Sequence, residues 1–261
     1  MNFKKEHEKE YKEWIEKLNQ AKMFMQERKG NRVLIECAAQ HPLKNGCLPG
    51  EEFEKRLDLA VYLYNSLKKE GKDVKIYVPG SRHMQNGIKD KVSLSLCGKI
   101  YLVEHGVLAT DIYSVRTNQK YKGLLGVYNS ADECYVASKI FVDDNFDKLI
   151  SVVSPAQMYR KTLFYIQFGI MPLNYSAPTF DSFHNYINEM FCSLPKVLTF
   201  DSTWQANDSE FAINSRNERC VYLSKPITNL KDVCEQIINP EEYAIEQNEL
   251  KIEDELEKQS K

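Results

Sequence analysis

The amino-acid sequence predicts an α/β fold, in which a largely parallel, doubly wound sheet carries helices on both faces between an N-terminal helix and a C-terminal extension. Three observations predict it. Apolar runs of strand length recur at Arg32–Ala38, Val74–Val78 and Lys148–Val153. Between them lie stretches with apolar residues at helical spacing, and Gly46, Pro49, Gly71, Pro79, Gly80, Gly106 and Gly169 mark the joins. Strands that alternate with helices in this way need crossover connections, hence βαβ units, a parallel sheet and a Rossmann-like architecture.

Residues 1–30 form an amphipathic helix with Tyr11, Trp14, Ile15, Leu18, Ala21 and Met25 on one stripe, which lays against the body. Residues 31–178 form the Rossmann-like domain. Its first strand ends near Ala38 and runs into a loop through His41, Pro42, Gly46 and Pro49. Glu51–Glu70 is a helix with Phe53, Leu57, Ala60, Val61, Tyr64 and Leu67 on one face and Gly71 as its stop. The second strand breaks at Pro79-Gly80-Ser81. A helix over Lys91–His105, capped by Gly106, leads through Ala109–Tyr113 into a short third strand. A helix starts at Asn129 or Ser130 and runs to Phe141, the fourth strand follows, and Met158–Phe168 is helical up to Gly169. A short apolar run, Ile170–Leu173, comes next. Residues 179–261 form an extension: a helix over Phe180–Phe191, a short strand over Lys196–Phe200, a polar stretch of lid type, and an acidic helix from Pro240.

Of 261 residues, 43% are apolar and 28% charged, with a net charge of −2, so no overall field draws the chain to nucleic acid or an anionic membrane. No apolar run reaches the roughly 20 residues that span a bilayer. Seven cysteines without a CxxC pair read as reduced thiols of a cytoplasmic protein. No His/Cys/Asp/Glu cluster has metal-ligand spacing, and neither a Walker loop nor a complete G-x-G-x-x-G is present. The sequence leaves the oligomeric state open.

The informative residues lie where strands give way to helices, the place where open α/β sheets bind ligands. Asn129, Ser130, Asp132 and Glu133 start one helix, either as cap and macrodipole partners or with a carboxylate, Asp132 or Glu133, facing a pocket as orienting group or general base. Ser154 precedes Pro155 as a natural N-cap, with Gln157 and Arg160 in the following turns, where an arginine fork can bind phosphate or carboxylate. Gly80, Ser81, Arg82 and His83 follow the second strand, and Ala39, Gln40 and His41 the first. His83 and His41 are the candidates for proton transfer near neutral pH.

Five stretches taken in order, Arg56-Leu57-Asp58-Leu59-Ala60, Val78-Pro79-Gly80-Ser81, Tyr101–Val107, Tyr128–Glu133 and Val152–Arg160, resemble the YdcF/ElyC/SanA-like family over roughly Asn31 to Leu173. That family's Asn-Thr and Glu-Asn pairs fall on Asn129, Ser130, Asp132 and Glu133, and its Thr-Ser, His and Arg on Val153, Ser154, Gln157 and Arg160. The chain departs from the family pattern at Gln157, which replaces the histidine, and at Ala38 and Ala39, which replace glycine and limit close approach to the backbone. The resemblance implies a Rossmann-like fold with a pocket at the strand ends and, from one branch, S-adenosylmethionine as ligand. The expectation is therefore a small-molecule protein that holds a nucleotide-like or anionic metabolite. A phosphoryl or glycosyl hydrolase or transferase using Asp132 or Glu133, and a non-enzymatic sensing or interaction protein, are the alternatives.

Overall fold

A computed structural model describes residues 6–40, 43–82, 84–85, 88–122, 127, 129–179, 182–199 and 240–260. In chain order, α1 (Glu8–Gln26) precedes β1 (Arg32–Cys37), α2 (Glu51–Lys69), β2 (Asp73–Tyr77) and a small hairpin of β3 (Met84–Gln85) with β4 (Ile88–Lys89). Then come α3 (Leu94–Glu104), β5 (Ile112–Tyr113), α4 (Val115–Lys122), α5 (Ser130–Asp143), β6 (Lys148–Val153), α6 (Met158–Gln167) and β7 (Leu173–Ser176). The extension holds α7 (Phe183–Asn188), a π-helical turn over Glu189–Ser193, α8 (Leu194–Leu198) and α9 (Pro240–Gln259).

The main sheet has five strands, all parallel, in the order β5-β2-β1-β6-β7. Numbered within the sheet, this is 3-2-1-4-5, the doubly wound order, and the winding reverses between β1 and β6. Side chains alternate across each strand. Val33, Ile35 and Cys37 therefore join Phe53, Leu57 and Leu102 in a core under α2 and α3, while Leu34 joins Phe141, Phe164 and Tyr165 under α5 and α6. Helix α1 lies on the second face, where Trp14 and Phe24 pack, and the Trp14 indole donates to the Leu198 carbonyl at 2.9 Å. Gly98 lets α3 sit close to the sheet: a Cβ there would lie 2.5 Å from Val78 Cγ1.

Local chemistry sets the boundaries. Helix α3 starts at Leu94, later than the expected Lys91, because the Ser93 hydroxyl accepts from Leu96 N at 3.0 Å and so fixes the cap. His105 ends that helix as expected, with Nδ1 2.7 Å from the Tyr101 carbonyl and its ring stacked on Tyr101. The expected strand at Lys196–Phe200 is the helix α8 over its described part, with Pro195 in its first turn where the missing N–H costs nothing. The structure adds the β3–β4 hairpin, α4 and the edge strand β7 to the expected elements.

Helix α9 docks on α3 and α4 through its acids. Glu249 accepts from Ser93 N at 2.7 Å and Glu253 from Arg116 N at 3.2 Å, so each carboxylate caps a helix N-terminus. Lys99 lies 3.6 Å from Glu253 and 3.1 Å from Glu257. Burial holds both Glu249 and Glu253 above the usual carboxylate range, against the pull of those hydrogen bonds and, for Glu253, of Lys99. No helix among the described residues is long and apolar enough to cross a membrane.

Candidate functional site

The winding reversal leaves a crevice beyond the C-terminal ends of β1 and β6, because α2 leaves the sheet on one face and α6 on the other. The structure has a polar cavity there of about 160 Å³, lined by Gln40, Glu52, Gln157, Asn185, Asn188 and Glu189, with Ala156. Gln40 comes from the loop after β1, Glu52 from the first turn of α2, and Gln157 from the 3₁₀ turn that opens α6. Asn185, Asn188 and Glu189 come from the extension, which covers the opening.

Two arginines back this crevice. Arg56 is fully buried, and its guanidinium donates to the carbonyls of Ala38 and Ala39 at 3.1 and 3.2 Å, to Gln40 Oε1 at 3.4 Å, and to Glu52. It thus pins the loop that carries Gln40. Arg160 lies 3.0 Å from Glu189, which ties α6 to the extension. Ser154, at the end of β6, is buried, and its hydroxyl has no hydrogen-bond partner among the described residues.

A charged triad is buried beneath the same region. Glu36, near the end of β1, turns to the α5/α6 face, where Ser151 donates to it at 2.8 Å. Lys161 reaches both Glu36 and, at 2.8 Å, Glu133. Burial disfavours the Lys161 ammonium, but the attraction of Glu133 and Glu36 outweighs this and pushes its pKa upward. Burial raises Glu133 above the usual carboxylate range, with Lys161 pulling the other way. Cys134 lies on the triad's face of the sheet and Cys37, next to Glu36 in β1, on the opposite face, and burial raises both thiols far above the range in which thiolates react.

Of the residues the sequence points to, Gln40 and Gln157 line the cavity, while Ala39, Ser154 and Arg160 belong to the same strand-end segments without lining it. The structure gives the others different work. Asn129, not Ser130, caps α5, accepting from Asp132 N at 2.8 Å. Asp132 is buried, and Glu133 is engaged by Lys161. Gly80, at φ 109°, makes the turn after β2 that lies against Ala39 and Leu94. Ser81 and Val127 exchange two hydrogen bonds of 2.9 Å, and Arg82 donates to the Asp90 carbonyl at 3.0 Å. These contacts tie the β2 loop to its neighbours, and Gly80, Ser81 and Arg82 are not among the residues lining the cavity. His41 and His83 lie outside the described residues. Glu52, Asn185, Asn188 and Glu189 also line the cavity, and none of them directly follows a strand in the sequence. Glu52 carried a local sign, standing one turn before Arg56 at the salt-bridge spacing of a helix.

A larger groove of about 470 Å³ between α1, α6 and α8 is lined by Tyr11, Trp14, Ile15, Leu18, Leu163 and Leu198 among others. Its walls are almost wholly apolar, so they offer few convergent polar groups to orient a ligand. Among the described residues no group of three or more His, Cys, Asp or Glu could hold a metal ion. In comparisons with known proteins, no family model, no curated protein and no solved structure matches the chain.

Proposed function

We propose that the protein binds a small polar metabolite in the reversal-point crevice, with recognition centred on a hydroxyl-rich, ribose-like ring. The observation that carries this is the composition of the wall: four primary amides, Gln40, Gln157, Asn185 and Asn188, beside the Glu52 carboxylate. Amides donate and accept at once, which suits vicinal hydroxyls, and a carboxylate accepts from a ribose hydroxyl, an interaction that doubly wound folds use elsewhere in the same crevice. The 160 Å³ cavity falls short of the about 300–1,000 Å³ of drug-sized sites, so it suits a sugar-sized portion of a ligand. A nucleoside such as S-adenosylmethionine, implied by the family resemblance, fits this reading through its ribose. A hydrolase or transferase reading through Asp132 or Glu133 is the less favoured one, since neither residue lines the cavity. The free cysteines Cys37, Cys47, Cys97, Cys134 and Cys192 agree with a reducing, cytoplasmic setting.

Thermal-shift measurements with ribose, adenosine, S-adenosylmethionine and S-adenosylhomocysteine test this. A ligand at 100 times its Kd adds about 2.7 kcal/mol, or roughly 5–10 °C in Tm. The shift should vanish in Gln157→Leu, which removes an amide from the wall. No shift with any of the four, or an undiminished shift in the variant, refutes the reading.

One observation favours a second reading, an interaction protein. Helix α7 and the π-helical turn leave Phe183, Met190 and Phe191 exposed at 81, 58 and 70%, an apolar face of the kind that marks contact surfaces. Light scattering on the purified chain, before and after Phe183→Ser and Phe191→Ser, reports whether that face associates.

A further inference from the structure

We infer that Glu189 is a built-in stand-in for an anionic group of the ligand: the extension holds its own carboxylate on Arg160, and a ligand oxyanion takes that place and lifts the α7 segment. This rests on the crevice reading above and adds a charge requirement and a gate to it.

The ion pair is enclosed. Arg160 Nη2 and Glu189 Oε1 are 3.0 Å apart, with the two side chains 9 and 10% exposed. An arginine fork recognises carboxylate and phosphate by the same geometry, so the group seated on it reports what the position accepts. Arg160 sits in the first turn of α6, beyond the end of β6, where the buried Ser154 hydroxyl has a hydrogen bond left to give among the described residues. Glu189 opens the π-helical turn, a departure from α-geometry that recurs at functional positions.

The covering segment is oriented for this exchange. Asn185, Asn188 and Glu189 are spaced i, i+3, i+4 and share the face that lines the crevice. The apolar Phe183, Met190 and Phe191 point away from it into solvent. A helix held by core packing has the opposite arrangement. Polar contacts to the crevice therefore hold Asn185–Glu189, which a competing oxyanion can displace, while Val197 keeps the following helix α8 anchored in the core.

Isothermal titration compares the unaltered protein with Glu189→Gln, using ribose, ribose 5-phosphate, succinate and inorganic phosphate as probes. Amide exchange across residues 183–198 is read in parallel. The expected result is that ribose 5-phosphate or succinate binds Glu189→Gln about tenfold more tightly, a common size for coupling between two interactions, while ribose binds both proteins alike. Anion binding to the unaltered protein should speed exchange across 183–198. A gain with ribose 5-phosphate or inorganic phosphate assigns a phosphate, and a gain with succinate alone assigns a carboxylate. Equal affinities of the two proteins for every anion, with ribose binding still lost in Gln157→Leu, overturn the stand-in and leave the crevice reading intact. Ribose binding that ignores Gln157→Leu overturns both. Should the variant fold poorly, the exchange measurement on the unaltered protein decides: slower exchange across 183–198 on adding anion overturns the inference.

Discussion

Replacing Lys161 with methionine should be the most damaging conservative-volume change in the second core. Its ammonium lies between the Glu36 and Glu133 carboxylates, and its side chain is 1% exposed. Methionine fills much of the same space, so packing changes little, but two carboxylates lose the ammonium they share, and Glu36 keeps a hydroxyl donor from Ser151. Removing one partner of a buried ion pair costs about 3–5 kcal/mol because the remaining charge stays uncompensated. For a chain of this size that is roughly 6–20 °C in Tm. The loss should shrink in acid. Burial already raises Glu133 in the parent and Lys161 opposes that rise, so without Lys161 this carboxyl holds its proton more tightly folded than unfolded, and the variant's stability falls as pH rises above the ordinary carboxylate range and recovers as pH drops toward it. The assay is urea denaturation of both proteins at pH 7 and pH 5, with Glu36→Gln/Lys161→Met/Glu133→Gln as the control that removes every charge. The triple variant should regain at least half of the loss. A single variant within about 1 kcal/mol of the parent at pH 7, or a triple variant no better than the single, refutes the reasoning.

Gly98→Ala should destabilise by about 1–3 kcal/mol in urea, since its Cβ would stand 2.5 Å from Val78 Cγ1 and force α3 off the sheet. Arg56→Met should cost about 2–4 kcal/mol by freeing the Ala38 and Ala39 carbonyls, and should abolish any ligand-induced shift because Gln40 loses its anchor. Glu249→Gln should gain stability relative to the parent as pH rises from about 4.5 to 7, monitored by denaturation at each pH. In the parent, burial has raised the Glu249 pKa above its ordinary 4.5, so ionisation there opposes folding across that window.

Much of the frame is visible in the sequence because burial on both faces writes itself as apolar runs. Arg32–Ala38, Val74–Val78 and Lys148–Val153 each became a strand of the sheet. Strand β7 is different: Leu173, Tyr175 and Ser176 are exposed at the sheet edge, so the apolar run Ile170–Leu173 stops where the strand begins. The lateral order of strands is a long-range property that no local pattern encodes. The site divides in the same way. Gln40, Ser154, Gln157 and Arg160 follow strands directly and can be found by the rule that ligands sit at strand ends. Asn185, Asn188 and Glu189 reach the crevice only through the path of the extension. Lys161 reads as one more helix lysine until Glu36, 125 residues earlier, is placed opposite it. The hydroxyl of Ser81 and the guanidinium of Arg82 have the chemistry of a binding loop but are committed to backbone partners, a fact of geometry rather than residue type.

The Glu36–Lys161–Glu133 triad also constrains how this chain can change over generations. Any single replacement within it passes through a protein with an unmatched charge in its interior, and selection removes most such intermediates before a second change arrives. The three codons, although scattered along the gene, therefore drift as one heritable unit. Among related chains the trio should be found either whole or exchanged together for apolar residues, and a lineage that has made that exchange should find the return equally difficult.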